Sequence, residues 1–205
     1  AARAGIAGAD MIEVRFDRLY LSRPEPTVTE NEEGEITKTM PPANEWPVRD
    51  YADIDVGASI TALKEGIALP VIFAVRPVRE GGHFSGDEGQ RLDVLQQGID
   101  SASTWIDLEI SIDADKRGKL MEAAKKASCK IIASIHDTDS TPSAEEIQNL
   151  ITSNAEMGDI VKFCGTVNDH QDALQIVEAT HAMATEKVDF AAMALGNGGD
   201  WARLH

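Results

Sequence analysis

Short apolar runs recur along this chain and constrain its fold more than any other feature of the sequence. Each run is continuous rather than alternating, which is typical of strands that are buried on both faces of a parallel sheet. From the third run onward they recur at intervals of roughly 25 to 30 residues, enough for one strand and one helix. We predict six strands, at residues 10–16, 70–76, 104–110, 130–136, 159–164 and 189–195.

Helical patterns lie between most of these strands. Two of them begin with a capping box, in which a serine is followed three residues later by a glutamate. These boxes are Ser85 with Glu88 and Ser143 with Glu146. We predict helices at residues 87–102, 114–127, 143–157 and 169–187. Alternating strands and helices predict a parallel sheet in an α/β domain.

Both a closed (β/α)8 barrel and an open doubly wound sheet fit this alternation. The first predicted strand is not followed by a glycine-rich turn of the dinucleotide-binding type, which argues against the open doubly wound sheet. We therefore expect an α/β fold of the (β/α)8 TIM-barrel class, with residues 1–205 as a single barrel domain. A closed barrel has eight strands. Because only six are visible, we expect the first and last strands to be lacking in this 205-residue chain.

Residues 22–58 interrupt the alternation of strands and helices. This stretch is rich in Pro, Glu, Thr and Asn, and it is too polar to form a core. We interpret it as a polar, acidic insertion or a partly disordered excursion within the barrel domain. A binding role for this segment rests on composition alone.

Charge and cysteine content limit the partners and the compartment of the protein. The chain has 35 acidic and 19 basic residues, a net charge of -16, which argues against nucleic acid or an anionic membrane as the main partner. We see no apolar run of membrane-spanning length and no signal-peptide pattern. Cys129 and Cys164 follow no metal-binding spacing and lie in apolar contexts, so we interpret them as reduced core thiols. We expect a cytoplasmic protein.

Charged side chains collect toward the ends of the predicted strands, where barrel enzymes place their active sites. Each one alone has a structural explanation, such as an ion pair between Glu13 and Arg15 or a hydrogen-bonded core histidine. Together they indicate one functional site. The charged residues are Glu13, Arg15, Arg76, Glu80, Asp107, Glu109, His136, Lys162 and Arg203.

Lys162 is the hardest of these residues to explain structurally. It lies among Ile160, Val161 and Phe163, where burial favours the neutral amine. A neutral lysine in a barrel mouth indicates Schiff-base chemistry with a ketone or aldehyde, and His136 on the preceding strand is suited to move protons beside it. Several arginines indicate an anionic, oxygen-rich substrate. The sequence carries no nucleotide motif and no convincing ligand cluster for a catalytic metal.

Five motifs, taken together, resemble the signatures of type I 3-dehydroquinate dehydratase, the Schiff-base class of this shikimate-pathway enzyme. In chain order they are EVRFD, VRPVREGG, IIASIHDTDSTP, DIVKFC and LGNGGDWAR. The block around His136 is the most specific, and the order and spacing of all five make the match strong. The resemblance covers residues 12–16 and 70–203 and leaves out 22–58.

The resemblance implies a (β/α)8 barrel, usually a homodimer, that dehydrates 3-dehydroquinate to 3-dehydroshikimate without a cofactor or a metal. It implies that Lys162 forms an imine with the substrate ketone, that His136 is the general acid and base, and that Glu80 orients and charges the histidine. Arg203 resembles the arginine that holds the substrate carboxylate. The remaining matches, which bind substrate hydroxyls and shape the pocket, are Glu13, Arg15 and Arg76. Aromatic amino acid biosynthesis is the commoner setting of the family, so we expect it rather than quinate breakdown.

The sequence departs from the family pattern near its end. Leu195 and Ala202 stand where the family usually has Met and Ser. The family's last strand, with the loop that supplies a serine and a glutamine, would lie beyond His205. Two alternatives therefore stay open. One is a catalytically silent, truncated barrel that only binds the hydroxy acid, and the other is a class I Schiff-base aldolase, which does not explain the histidine block or REGG.

Overall fold

The computed structural model describes residues 2–31, 34–196, 199 and 202. In chain order the strands are β1 (Ile12–Arg15), β2 (Thr27–Glu30), β3 (Ile36–Thr39), β4 (Val71–Ala74), β5 (Trp105–Glu109), β6 (Lys130–Asp137), β7 (Ile160–Thr166) and β8 (Phe190–Leu195). All but β2 and β3 join one parallel sheet in the order β1-β4-β5-β6-β7-β8, which curls into a half-barrel. The six predicted strands and the α/β barrel class are confirmed.

Helices accompany this sheet, and the last four of them pack against its strands. In chain order they are α1 (Ala2–Ile6), α2 (Val56–Gly66), α3 (Glu88–Asp100), α4 (Ala114–Lys126), α5 (Ala144–Ser153) and α6 (His170–Ala182). The four predicted helices are confirmed, each slightly shorter than the pattern indicated. Among the described residues, no helix is long and apolar enough to cross a lipid bilayer.

One of the two predicted capping boxes is wrong. At α5 the box of Ser143 and Glu146 is present, as predicted. At α3 the box is formed instead by Asp87 and Gln90, whose side chains accept hydrogen bonds from each other's backbone N–H groups. Because Asp87 is the N-cap, Glu88 is the first residue of the helix and not the partner in the box, and its carboxylate is bound by Arg91. The helix consequently starts later than the serine-based prediction implied.

The apolar core divides into two clusters along the curled sheet. The first includes Phe73 of β4, Leu95 of α3 and Ile106 of β5, and the second includes Ile147 of α5 and Phe163 of β7. All five side chains are buried. Burying a side chain of this size stabilises the fold by roughly 1.5–3 kcal/mol. The two clusters pack the helices against the sheet and so fix the positions of the strand ends.

Residues 22–58 contain ordered elements that composition did not predict. The strands β2 and β3 pair antiparallel as a hairpin, and every residue of the two strands is exposed. Short 3-10 turns follow at Ala43–Glu45 and Tyr51–Asp53, before α2 begins. The ring of Tyr51 stacks on Tyr20 with centroids 6.1 Å apart, which attaches the end of the segment to the first core cluster. Whether the segment is an insertion into the barrel stays a prediction.

Candidate active site

A pocket of about 340 Å³ opens at the carboxyl ends of the parallel strands. Its lining contains most of the site residues that the sequence predicted, although these come from different strands and loops. They are Glu13, Arg15, Arg76, Glu80, His136 and Lys162. Arg203, the remaining predicted residue, lies outside the described part of the chain. Parallel pairing explains the convergence, because the carboxyl ends of all six strands meet at one end of the barrel.

Residues of β7 alternate between the two faces of the sheet. Val161 and Phe163 pack in the second core cluster, whereas Lys162 and Cys164 line the pocket. Such alternation lets an apolar strand keep its helix-facing side in the core while it carries a charged group into the barrel interior. On β6, Ser134 pairs in register with Lys162, which places the two residues side by side.

Lys162 is buried, but it is not isolated from charge. Its Nζ donates a hydrogen bond to Asp107 and lies 3.7 Å from Oε2 of Glu13. Burial alone would lower the pKa of Lys162, but the two carboxylates outweigh burial and raise it above the ordinary value. The prediction that burial leaves a neutral amine is therefore wrong for the ligand-free site. The ammonium form persists because two carboxylates, Asp107 on β5 and Glu13 on β1, stabilise its charge, and both lie far from Lys162 in sequence.

Arg76 is the centre of a buried ionic network. Its guanidinium donates to both carboxylate oxygens of Asp107, at 3.2 and 3.0 Å, to Oε1 of Glu109 at 2.6 Å and to Oγ of Ser134 at 3.0 Å. Arg91 binds the other oxygen of Glu109 at 2.7 Å. Because its terminal nitrogens are committed to protein partners, Arg76 shapes the floor and the charge of the pocket. Direct substrate binding by Arg76 stays a prediction.

His136 and Glu80 form a hydrogen-bonded pair that lines the same pocket. Nδ1 of His136 lies 3.1 Å from Oε2 of Glu80, and the other Glu80 oxygen accepts a hydrogen bond from Ser111. Burial raises the pKa of Glu80, but the hydrogen bonds from His136 and Ser111 outweigh it and lower that pKa overall. An ionised Glu80 only accepts hydrogen bonds, so Nδ1 carries the proton and Nε2 is left as an acceptor.

The imidazole of His136 is poised to act as a base. Burial lowers its pKa, the hydrogen bond to Glu80 raises it, and the positive charge of Arg76 lowers it again. The net direction is downward from the ordinary histidine value, so the ring is neutral at neutral pH. A neutral imidazole with a carboxylate behind Nδ1 can take a proton at Nε2 and is then stabilised as the cation.

The two glycines of REGG hold Glu80 in place. Glu80 ends a 3-10 turn, Val78–Glu80, and Gly81 follows with φ +75°, a conformation that glycine adopts without strain. A Cβ atom on Gly82 would lie 2.0 Å from the carbonyl oxygen of Arg76. Only glycine permits this approach, so the turn can fold back and place the Glu80 carboxylate against His136.

Arg15 pairs with Asp17 and not with Glu13, the structural alternative raised by the sequence. Its guanidinium makes two hydrogen bonds of 2.8 Å to the Asp17 carboxylate. Asp17 is fully buried and also accepts the backbone N–H groups of Arg76 and His83. One carboxylate thus joins the end of β1 to the loop after β4, and Glu13 is left facing Lys162.

Cys164 lines the pocket but is a poor nucleophile there. Burial raises the pKa of its thiol to about 11, so the thiolate is scarce at neutral pH. Both Cys164 and Cys129 are free and buried, as predicted. Within the described part of the chain, no three His, Cys, Asp or Glu side chains are grouped so that they could hold a metal ion.

Of the partners that hold the predicted residues in place, the sequence indicates Asp107 as a charged residue of the site, without a role, and the others are not predicted. These partners are Asp17, Asp107, Ser111 and Ser134. Asp17 belongs to the EVRFD motif, and strand alternation places Asp107 on the interior face, so both left a signal in the sequence. Ser111 and Ser134 left none, because a serine in a loop or strand has no distinctive pattern.

The fold and the site together define a (β/α)-barrel protein with a lysine and a histidine–glutamate pair at the carboxyl ends of its strands. Such a constellation can hold a small polar anion and move protons on it. The family model of type I 3-dehydroquinase matches residues 1–205. The chain belongs to the type I 3-dehydroquinase family.

Related proteins agree with this assignment. A 3-dehydroquinate dehydratase from Methanopyrus kandleri is 30% identical over 144 residues, which make up 69% of this chain and 63% of that protein. The structure of 3-dehydroquinate dehydratase from Enterococcus faecalis matches with a TM-score of 0.68 and 27% identity, over 73% of this chain and 64% of that one. A type I 3-dehydroquinate dehydratase from Clostridium difficile, solved with covalently modified comenic acid, matches with a TM-score of 0.68 and 26% identity. This match covers 73% of this chain and 61% of that one. The matches thus cover just under two thirds of the length of these relatives.

Proposed function

We propose that this protein dehydrates 3-dehydroquinate to 3-dehydroshikimate through an imine on Lys162, with His136 as general acid and base. The observation that carries the proposal is the geometry of two adjacent strands. Lys162 on β7 and His136 on β6 line the same pocket, and the Glu80 carboxylate lies behind the imidazole. Membership of the family and the names of the relatives support the same reaction.

The first stage joins the substrate to the protein. Lys162 rests as an ammonium, so it must lose a proton before it attacks the ketone carbon, and the neutral imidazole of His136 can accept that proton. The amine adds to the carbonyl, and His136 returns its proton to the hydroxyl of the resulting carbinolamine, which departs as water and leaves a protonated imine. The covalently modified comenic acid in the Clostridium difficile relative is in keeping with covalent chemistry in this family.

The second stage removes water from the substrate. His136 takes a proton from the carbon beside the imine, and the electron pair moves into the protonated imine to give a neutral enamine. The enamine then expels the hydroxyl one carbon further on, which departs as water with the proton from His136. A second water hydrolyses the imine, which releases the product and restores the Lys162 amine.

The rest of the pocket suits an anionic, hydroxylated substrate. Arg15 is half-buried beside the pocket, and Glu13 is the more exposed partner of Lys162, so both are placed to bind substrate oxygens. We assign the substrate carboxylate to Arg203 by its match to the family motif. Homodimer formation, a cytoplasmic location and a role in aromatic amino acid biosynthesis are further parts of this proposal.

A product assay tests the proposed reaction. The product has a double bond conjugated with its ketone, so its formation from 3-dehydroquinate is followed by ultraviolet absorbance. We expect turnover by the wild type, none by Lys162→Met, and unchanged turnover by Lys125→Met, a matched change at an exposed lysine on α4. Binding without turnover by the folded wild type would favour the silent barrel, and cleavage to an aldehyde would favour the aldolase.

A further inference from the structure

Asp107 is held so firmly that its carboxylate has one fixed position. It is fully buried on β5, and Arg76 binds both of its oxygens. One oxygen also accepts a hydrogen bond from Ser134, and the other accepts one from Lys162. Two cations, Lys162 and Arg76, outweigh the effect of burial and hold the pKa of Asp107 well below its usual range. The carboxylate therefore stays ionised and does not take up or release a proton during the reaction.

Groups from five strand segments surround the Lys162 nitrogen. They are Glu13 on β1, Arg76 after β4, Asp107 on β5, His136 on β6 and Cys164 on β7. Only two of them are carboxylates. Glu13 lies 3.7 Å away with a side chain that is 36% exposed, whereas Asp107 is in direct contact and has no exposed surface. The negative charge that solvent cannot screen, and substrate cannot displace, is therefore that of Asp107.

Building on the proposed function, we propose that Asp107 is the permanent counter-ion of the Lys162 nitrogen, both as the resting ammonium and as the protonated imine. An imine draws in electrons only while it carries its proton, and a buried cation without a counter-ion tends to lose that proton. A fixed carboxylate keeps the nitrogen charged after substrate has filled the pocket. Asp107 is thus a positioning residue that acts on the substrate through Lys162.

A purely structural role would not require this arrangement. Arg76 already has a second carboxylate partner in Glu109, at 2.6 Å, and Glu109 makes no contact with Lys162 among the described residues. If Asp107 served only to neutralise Arg76, neither of its oxygens would need to contact the amine of Lys162, but Oδ2 does. The side of Asp107 that faces Lys162 is therefore the functional side.

The test begins with the ligand-free protein, where no imine is needed. Lysines are labelled with 13C at Cε, the signal of Lys162 is identified by its loss in Lys162→Met, and its titration is followed by NMR. We expect the wild-type Lys162 to titrate at higher pH than the exposed lysines, and at clearly lower pH in Asp107→Asn. Ser134→Ala, which removes a hydrogen bond to the same carboxylate but no charge, should leave the titration where it is.

Two results would overturn the inference. One is that wild-type Lys162 titrates at the same pH as the exposed lysines or at a lower pH. This result can be obtained even if Asp107→Asn fails to fold. The other is an unchanged titration in folded Asp107→Asn. If Glu13→Gln moved the titration more than Asp107→Asn, the counter-ion would be Glu13 and the inference would likewise fail.

Catalysis gives the second readout. With 3-dehydroquinate as substrate, we expect kcat of Asp107→Asn to fall about 10²-fold at neutral pH, and the high-pH limb of its profile to move to lower pH. An unchanged kcat profile would contradict the role in the imine stage. Because the titration needs no substrate, failure of the proposed reaction and failure of the counter-ion role are separate, distinguishable results.

Discussion

The carboxylate of Glu80 lies 3.1 Å from Nδ1 of His136, and its second oxygen is bound by Ser111. This pairing fixes the imidazole tautomer and stabilises the imidazolium that forms when Nε2 takes a proton. The hydrogen bond to this carboxylate raises the pKa of His136 against burial, more than the charge of Asp107 does. Its removal therefore makes the histidine a weaker base and leaves the ring free to rotate.

We expect Glu80→Gln to lower kcat for 3-dehydroquinate by about 10²-fold, in the range of a general acid–base contribution. The low-pH limb of the rate profile should move to lower pH, because loss of the carboxylate lowers the pKa of His136 and the neutral base then persists at lower pH. The check is the pH dependence of kcat and of kcat/KM. Ser111→Ala, which keeps the charge of Glu80, should lower kcat less and should not move the low-pH limb to lower pH. A shift to higher pH in Glu80→Gln would refute the assignment.

Arg76 should matter for stability more than an exposed arginine with a similar ion pair. Arg76→Met leaves Asp107 and Glu109 with fewer partners in the interior, and breaking a buried pair in this way costs roughly 3–5 kcal/mol of unfolding free energy. Arg79→Met removes an exposed pair with Glu88 and should cost roughly 0–1 kcal/mol. Urea denaturation of both variants measures the difference, and equal losses would contradict the buried network.

Arg15 should act on substrate binding rather than on the chemical step. Its side chain is 28% exposed and lines the pocket, so it can bind a substrate oxygen without leaving Asp17. A charge-assisted hydrogen bond contributes roughly 1.5–3 kcal/mol, so Arg15→Met should raise KM by about 10- to 100-fold with a smaller change in kcat. Arg18→Met, at an exposed position of the following 3-10 turn, is the matched control. A fall in kcat at constant KM would assign Arg15 to the chemical step instead.

The architecture was predictable because its signals are local. Continuous apolar runs such as 130–136 and 159–164 specify buried parallel strands wherever they occur, and the structure begins those strands within one residue of the prediction. The hairpin of β2 and β3 was missed although β-branched residues dominate its strands, TVTE and ITKT. Both faces of the hairpin are exposed, so its polar composition concealed the strand pattern.

The electrostatic state of the site was not predictable from local sequence. The apolar neighbours of Lys162 indicated a neutral amine, but its state is set by Asp107, 55 residues away along the chain. Contacts between distant strands decide such questions, and a single sequence does not record them.

We expect Lys162 to form an imine with 3-dehydroquinate. The most direct measurement is to incubate the protein with this substrate, add borohydride, and locate the added mass by peptide mapping. We expect one adduct, on Lys162, that is absent from Lys162→Met and present in Lys125→Met. A folded wild-type protein that binds 3-dehydroquinate but yields no adduct on Lys162 would contradict the account.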